Sequence, residues 1–172
     1  RATTPNADWN GAETITFTAT DPGTLWSQDA ATFTVTAVND APVCVDVILT
    51  TAEDTPGDTA PSCTDVDAGD TLTYDIVAQG SNGTASVVAG NLHYVPLLDF
   101  NGPDSFTYKA NDTHDDSNIS NVTVTVTAVN DAPIVTNIPD QLIAEGASFA
   151  TINLDNYVSD VDNTDAQMTW SS

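Results

Sequence analysis

Oxygen-bearing side chains recur along this chain in short clusters between stretches of alternating apolar residues. In the central part they are Glu53, Asp65 and Asp67 in Thr-Asp-Val-Asp, Asp99 and Asn101 in Asp-Phe-Asn-Gly, Asp112, and Asn130 with Asp131 in Val-Asn-Asp-Ala-Pro. Asp8, Asn10, Asp21, Asn39 and Asp40 take corresponding places upstream; Glu145 and then Asp160 with Asp162 do so downstream. Several carboxylates offered from loops are hard ligands, and Ca2+ takes about six to eight such oxygens in flexible geometry. The competing reading is solvation, since an acidic surface keeps a secreted or salt-adapted protein soluble. Recurrent spacing favours metal at Asp65, Asp67, Asp131, Asp160 and Asp162. Asp115 and Asp116 align upstream with Thr24 and Leu25 and read as solvated.

These positions recur because the sequence repeats. Val-Asn-Asp-Ala-Pro occurs at 38–42 and again at 129–133, a spacing of 91 residues. Asp8-Trp9-Asn10-Gly11 returns at the same spacing as Asp99-Phe100-Asn101-Gly102, and Thr16 to Asp21 returns as Thr107 to Asp112. A fixed period marks a repeat array. Its phase divides the chain into the C-terminal part of one repeat (1–40), a complete repeat (41–131) and the N-terminal part of a third (132–172). A repeat of this size holds one modest core. The two partial repeats are expected to be disordered or completed from outside the chain.

The elements that carry the acidic loops are strands. Ile15, Phe17 and Ala19 alternate with Thr, as do Phe33, Val35 and Ala37, and Val122, Val124, Val126 and Ala128. This is the half-buried antiparallel pattern, with β-branched Thr on the wet face. In the complete repeat it predicts strands near 43–50, 71–78, 83–88, 91–96, 104–111 and 121–129, with a short irregular one near 59–64. Asn82-Gly83 and Gly90-Asn91 are turn signals between them. The expected fold is all-β: tandem immunoglobulin-like Greek-key β-sandwiches. Trp9 and Phe100 share a repeat position and read as packing residues, while His93 and His114 read as surface.

Charge narrows the partners. The chain has 25 acidic residues against two basic ones, Arg1 and Lys109, for a formal net charge of −23. Nucleic acid and anionic membrane both require positive charge, so neither is an expected partner. No apolar run is long enough to span a bilayer. No nucleophile, base and oxyanion grouping points to an enzyme. Four Asn-x-Ser/Thr triplets begin at Asn82, Asn111, Asn118 and Asn121; in a Thr-rich chain such triplets arise readily by chance.

Cys44 and Cys63 are the only cysteines, and both fall in the complete repeat. In the third repeat Val135 and Val158 replace them together. Joint replacement by apolar residues favours a disulfide, with two unrelated buried thiols as the alternative. A disulfide implies an oxidising compartment, secreted or at the cell surface.

The order Glu, Asp-x-Asp, Asp-x-Asn, Ala-x-Asp and Val-Asn-Asp-Ala-Pro resembles the calcium-binding order of cadherin repeats. It resembles more closely the bacterial cadherin-like tandem repeats of large surface and secreted adhesins, which end in the same pentapeptide. The resemblance implies calcium at the junctions between repeats. It implies Asp8, Asn10, Asn39, Asp40, Asp65, Asp67 and Asp112 as ligands at the first junction. At the second it implies Glu53, Asp99, Asn101, Asn130, Asp131, Asp160 and Asp162. The linker is shorter than a full cadherin linker and Asn101 stands where cadherins carry Glu, which implies fewer or weaker ions. The expected partners are neighbouring repeats and an unidentified cell-surface or matrix target. The alternative is an extracellular filament in which further copies complete one another's partial repeats by strand complementation.

Overall fold

The computed structural model describes residues 7–67 and 69–171; Arg1, with the first six residues of the 1–40 segment, lies outside them. The strands in chain order are β1 (Gly11–Thr20), β2 (Trp26–Val35), β3 (Val43–Cys44), β4 (Val47–Ala52), β5 (Gly57–Thr59), β6 (Cys63–Thr64) and β7 (Thr73–Ala78). Then follow β8 (Gly83–Val88), β9 (Asn91–Pro96), β10 (Gly102–Asn111), β11 (Ser120–Thr127), β12 (Ile134–Val135) and β13 (Val158–Ser159). The helical content among the described residues is two short 3-10 turns, Leu154–Tyr157 and Asp165–Gln167.

Between β3 and β11 the chain forms a β-sandwich. One sheet has the order β4-β11-β10-β7 and the other β5-β9-β8, with β3-β6 as a separate ladder. The two-residue period does what it predicts: Val122, Val124 and Val126 of β11 are buried while the threonines between them face water. Leu49, Phe106 and Tyr108 line the same side of the core, and Ala85, Leu92 and Tyr94 close it from the other sheet. Tyr94 and Phe106 stack across the gap with ring centroids 5.9 Å apart. Each fully buried aliphatic chain here contributes roughly 1.5–3 kcal/mol.

Two sequence expectations need correction. The strand expected over 43–50 breaks at Val45 and Asp46, because its halves serve different partners. β3 pairs antiparallel with β6, whereas β4 runs parallel to β11. The irregular strand near 59–64 likewise separates into β5, paired with β9, and β6. The hydrophobic period does not show the first break, because Val43, Val45, Val47 and Leu49 alternate without interruption while the buried face shifts from Cys44 in β3 to Leu49 in β4. The second lies in a stretch with no apolar alternation.

Asp104 locks the sandwich corner. Its carboxylate accepts hydrogen bonds from the Tyr94 hydroxyl (2.6 Å) and from the backbone N–H groups of Ser81, Asn82 and Ser105. Burial opposes its charge, but those four donors prevail and hold its carboxyl below the usual range. Gly83 is required beside it, since a Cβ there would overlap the Tyr94 ring and lie 2.6 Å from the Val95 carbonyl oxygen. His93, expected at the surface, is half-buried in β9 and bonds Asp58 through Nδ1 (2.9 Å).

Cys44 and Cys63 form a disulfide across the β3-β6 ladder, which fixes the first strand of the sandwich to the segment before β7. The Tyr108 hydroxyl braces it from inside, donating to the Val45 carbonyl (2.7 Å) and accepting from Ser62 N–H (3.2 Å). β12-β13 repeats this ladder, with Val135 opposite Val158 where the disulfide would be. β1-β2 repeats the β10-β11 register, Gly11 opposite Val35 as Gly102 is opposite Val126. It has no third strand among the described residues, so Phe17 and Phe33 are about half exposed (56% and 51%) where Tyr108 and Val124 are buried. Phe100 packs against the core as expected; Trp9, at the same repeat position, is exposed, lying over Gly11 and lining a cleft with Val35 and Val38.

Candidate metal centre

The second Val-Asn-Asp-Ala-Pro segment gathers acids from three places. Glu53 follows β4 directly and is 2% exposed. Its Oε1 accepts from Val129 N–H and its Oε2 from Asn101 Nδ2 (3.2 Å). Asp131 N–H donates to Asp162 Oδ2 (2.6 Å), and Asp162 N–H in turn donates to Asp160 Oδ1 (2.9 Å). These bonds bring carboxylate oxygens of Glu53, Asp131 and Asp162 within 4.8 Å of one another. Asn130 turns its Nδ2 back to the Asp131 carbonyl (2.8 Å) and its Oδ1 toward Asn163 Nδ2 (3.4 Å).

Asp54, Asp99 and Asp131 form an adjoining cluster of the same tightness. Asp54 accepts from Asp99 N–H (3.0 Å), and both residues are left-handed, with φ of 57° and 56°. Asp tolerates that region better than most residues, but it still costs on the order of 1 kcal/mol, and such strain collects at functional sites. Asp131 thus belongs to both clusters. Its Oδ2 is buried without a hydrogen-bond partner. Burial raises its carboxyl above the usual range, and the charges of Asp162, Asp54, Asp99 and Glu53 raise it further.

The first Val-Asn-Asp-Ala-Pro segment repeats the wiring. Asp40 N–H donates to Asp67 Oδ2 (2.8 Å) and Asp67 N–H to Asp65 Oδ1 (2.8 Å), as Asp131, Asp162 and Asp160 do. Asn39 Nδ2 donates to Asp112 Oδ2 (3.0 Å) and to Asp115 Oδ2 (3.1 Å). Asp112 is 1% exposed. The backbone N–H of Asp115, then that of His114 and the Asn39 amide, hold its carboxyl below the usual range against its burial. The cluster here is Asp65, Asp67 and Asp70, and Asp65 Oδ2 is the second buried carboxylate oxygen without a partner. Asp8 and Asn10 line a cleft with Trp9, Val38 and Asp40 but join no three-carboxylate cluster among the described residues.

Sequence reasoning missed Asp54 and Asp70. The signals were present: Asp54 lies 91 residues before Glu145, and Asp70 keeps with Asp65 and Asp67 the spacing that Asp165 keeps with Asp160 and Asp162. It also undervalued Asp115, which holds Asn39, and Asp116, which is paired with Lys109 and with Asn111 Nδ2.

The donor set suits a hard divalent cation: all-oxygen, rich in carboxylate, with one orphaned buried oxygen at each segment. No helix among the described residues is long and apolar enough to cross a membrane. Among solved structures, similar folds include extracellular cadherin domains 3–6 of protocadherin gamma B2 (22% identity, TM-score 0.56, 80% of this chain and 37% of that one). Domains 1–5 of the same protein match at 22% identity and TM-score 0.55, over 70% of this chain and 27% of that one. Human mucin-like protocadherin domains 1–2 match at 21% identity and TM-score 0.54, over 74% and 73%. This chain therefore spans well under half of the two gamma B2 fragments, and at these identities the likeness is one of fold. No curated protein sequence matches. The model of the bacterial Ig domain family matches residues 39–125, half of the chain and nearly all of the sandwich between the two Val-Asn-Asp-Ala-Pro segments, and the chain belongs to that family.

Proposed function

We propose that this chain is a calcium-stiffened, non-enzymatic repeat segment of a long extracellular or cell-surface protein, acting as an adhesive or structural stalk. In this reading 41–131 is one complete repeat and each Val-Asn-Asp-Ala-Pro segment is a joint. The observation that carries it is Asp131, whose buried Oδ2 lacks any partner while four other acids crowd around it. Folding carboxylates together without a counter-charge is unfavourable. Glu53, Asp54, Asp99, Asn101, Asp131, Asp160 and Asp162 would hold one group of ions, with Asn130 closing the linker. Asp40, Asp65, Asp67, Asp70 and Asp112 would hold the other, with Asp8, Asn10 and Asn39 beside them. Bound there, the cation supplies positive charge that ties residues on both sides of an Ala-Pro linker into one body.

Extracellular calcium modules bind at about 10⁻⁴–10⁻³ M. At roughly 1 mM calcium and the tight end of that range, each site adds about 1.4 kcal/mol, enough to stiffen a joint. The disulfide supports an oxidising compartment. Metal analysis with small-angle scattering in calcium and in chelator tests the proposal. A bound metal lost to chelator and an increase in flexibility are expected; identical profiles with no bound metal would sink it.

One observation favours a second reading, a filament of copies joined head to tail. Among the described residues both edges of the β1-β2 hairpin are unpaired, and its apolar side chains are exposed. In the complete repeat the equivalent strands are covered by β4 and β7. Sedimentation separates the readings: concentration-dependent growth supports the filament, and a monomer at all concentrations removes it.

A further inference from the structure

We propose that Asn101 and Asn10 are sites of spontaneous deamidation that add carboxylates beside the acidic linkers, while the fold holds the chemically similar Asn82 inert. Three Asn-Gly pairs occur, Asn10-Gly11, Asn82-Gly83 and Asn101-Gly102. In the reaction the glycine backbone nitrogen attacks the asparagine Cγ, the bond from Cγ to the side-chain nitrogen breaks, and ammonia leaves with the amide proton. The resulting succinimide is opened by water at either carbonyl, leaving aspartate or its β-linked isomer. One water is consumed, one ammonia is released and nothing is oxidised. Glycine opposes the attack least, because it has no Cβ and turns freely.

The fold obliges glycine at two of these pairs. Gly11 and Gly102 open β1 and β10 with φ of 141° and 130°, a region that L side chains rarely adopt. The chain therefore cannot shield Asn10 or Asn101 with a bulkier following residue. Both asparagines are exposed. The Asn101 carboxamide is held by one bond, from Nδ2 to Glu53 Oε2, which leaves Cγ open to attack.

Asn82 is different. Its N–H donates to Asp104 Oδ2 (2.9 Å) and its carbonyl accepts from Leu97 N–H (2.9 Å). Gly11, Gly83 and Gly102 all pair in strands, but Gly83 is also pressed against the Tyr94 ring and the Val95 carbonyl, closer than anything approaches Gly11 or Gly102. Swinging the Gly83 nitrogen onto the Asn82 Cγ would break that corner.

At Asn101 the conversion replaces a donor facing Glu53 with an acceptor, so an attractive contact becomes a repulsive one. Resting on the calcium reading above, the added charge weakens the metal-free linker and strengthens its hold on a cation.

The test incubates the full chain in chelator at mildly alkaline pH, with a urea-unfolded control, and follows each Asn-Gly peptide by mass spectrometry and isoaspartate assay. Asn101 and Asn10 should convert at rates near the control. Asn82 should be slower by about tenfold or more, the factor imposed by roughly 1.4 kcal/mol of lost hydrogen bonding. Equal rates at Asn82 and Asn101 in the folded chain, or no conversion at Asn101, would overturn the proposal. The Asn101→Asp variant should then melt lower than the unmodified chain in chelator and gain more on adding calcium. An equal gain would count against the calcium reading while leaving the conversion itself established.

Discussion

Replacing Glu53 with glutamine tests the acidic linker with the least change of shape. Glu53 is buried, and each of its oxygens accepts one hydrogen bond, from Val129 N–H and Asn101 Nδ2. The carboxamide of Glu53→Gln can accept only one of these, so one charge-assisted bond worth about 1.5–3 kcal/mol is lost. Part of that returns in chelator, because a negative charge beside Asp131 and Asp162 is removed. A calcium site filled at ten times its dissociation constant adds about 1.4 kcal/mol to the unmodified chain. For a domain of this size that is a rise of roughly 6–11 °C in Tm. Differential scanning calorimetry in calcium and in chelator measures both quantities. The unmodified chain should show the full rise and Glu53→Gln little or none, with a lower Tm in calcium. A variant that gains as much from calcium as the unmodified chain would refute the placement of Glu53 at the ion. No gain in either protein would refute the site.

Three further predictions follow the same geometry. In chelator, stability should rise slightly as pH falls from neutral toward the ordinary carboxylate range, because Asp131, raised by burial and by its acidic neighbours, binds its proton more readily folded than unfolded. Below that range stability should fall as Asp104, Asp112 and Asp116, held low by their donors, are protonated; Asp131→Asn should abolish only the rise, as read by urea denaturation across pH. Tyr94→Phe should cost about 1.5–2 kcal/mol at neutral pH by losing its bond to the Asp104 carboxylate. That cost should shrink once acid neutralises Asp104, and a cost independent of pH would contradict the pairing. The double variant Cys44→Val, Cys63→Val should lose roughly 3 kcal/mol to denaturant, the chain-entropy value for a loop of this length. Valine already fills the equivalent pair in β12 and β13, so a much larger loss would show that the disulfide does more than shorten a loop.

The sequence by itself determined the fold class, the period and most of the acids that gather at the two Val-Asn-Asp-Ala-Pro segments. Strand alternation in a Thr-rich chain leaves one apolar face per strand, and two such faces can only bury each other. The period also transferred: β1-β2 has the register of β10-β11 at a spacing of 91, and β12-β13 has the register of β3-β6, with β12 91 residues after β3 and β13 95 residues after β6. Only tertiary structure decided where strands change sheets, because Val45 and Asp46 interrupt pairing without interrupting alternation. It also decided which acids meet. Asp54 and Asp70 have acidic counterparts in Glu145 and Asp165, yet spacing does not say which acids they join: Asp54 reaches Asp99 and Asp131 through a left-handed turn, and Asp70 closes on Asp65 and Asp67. The difference is physical: period reports the local burial of one strand, whereas converging charges depend on how separate loops close upon one another.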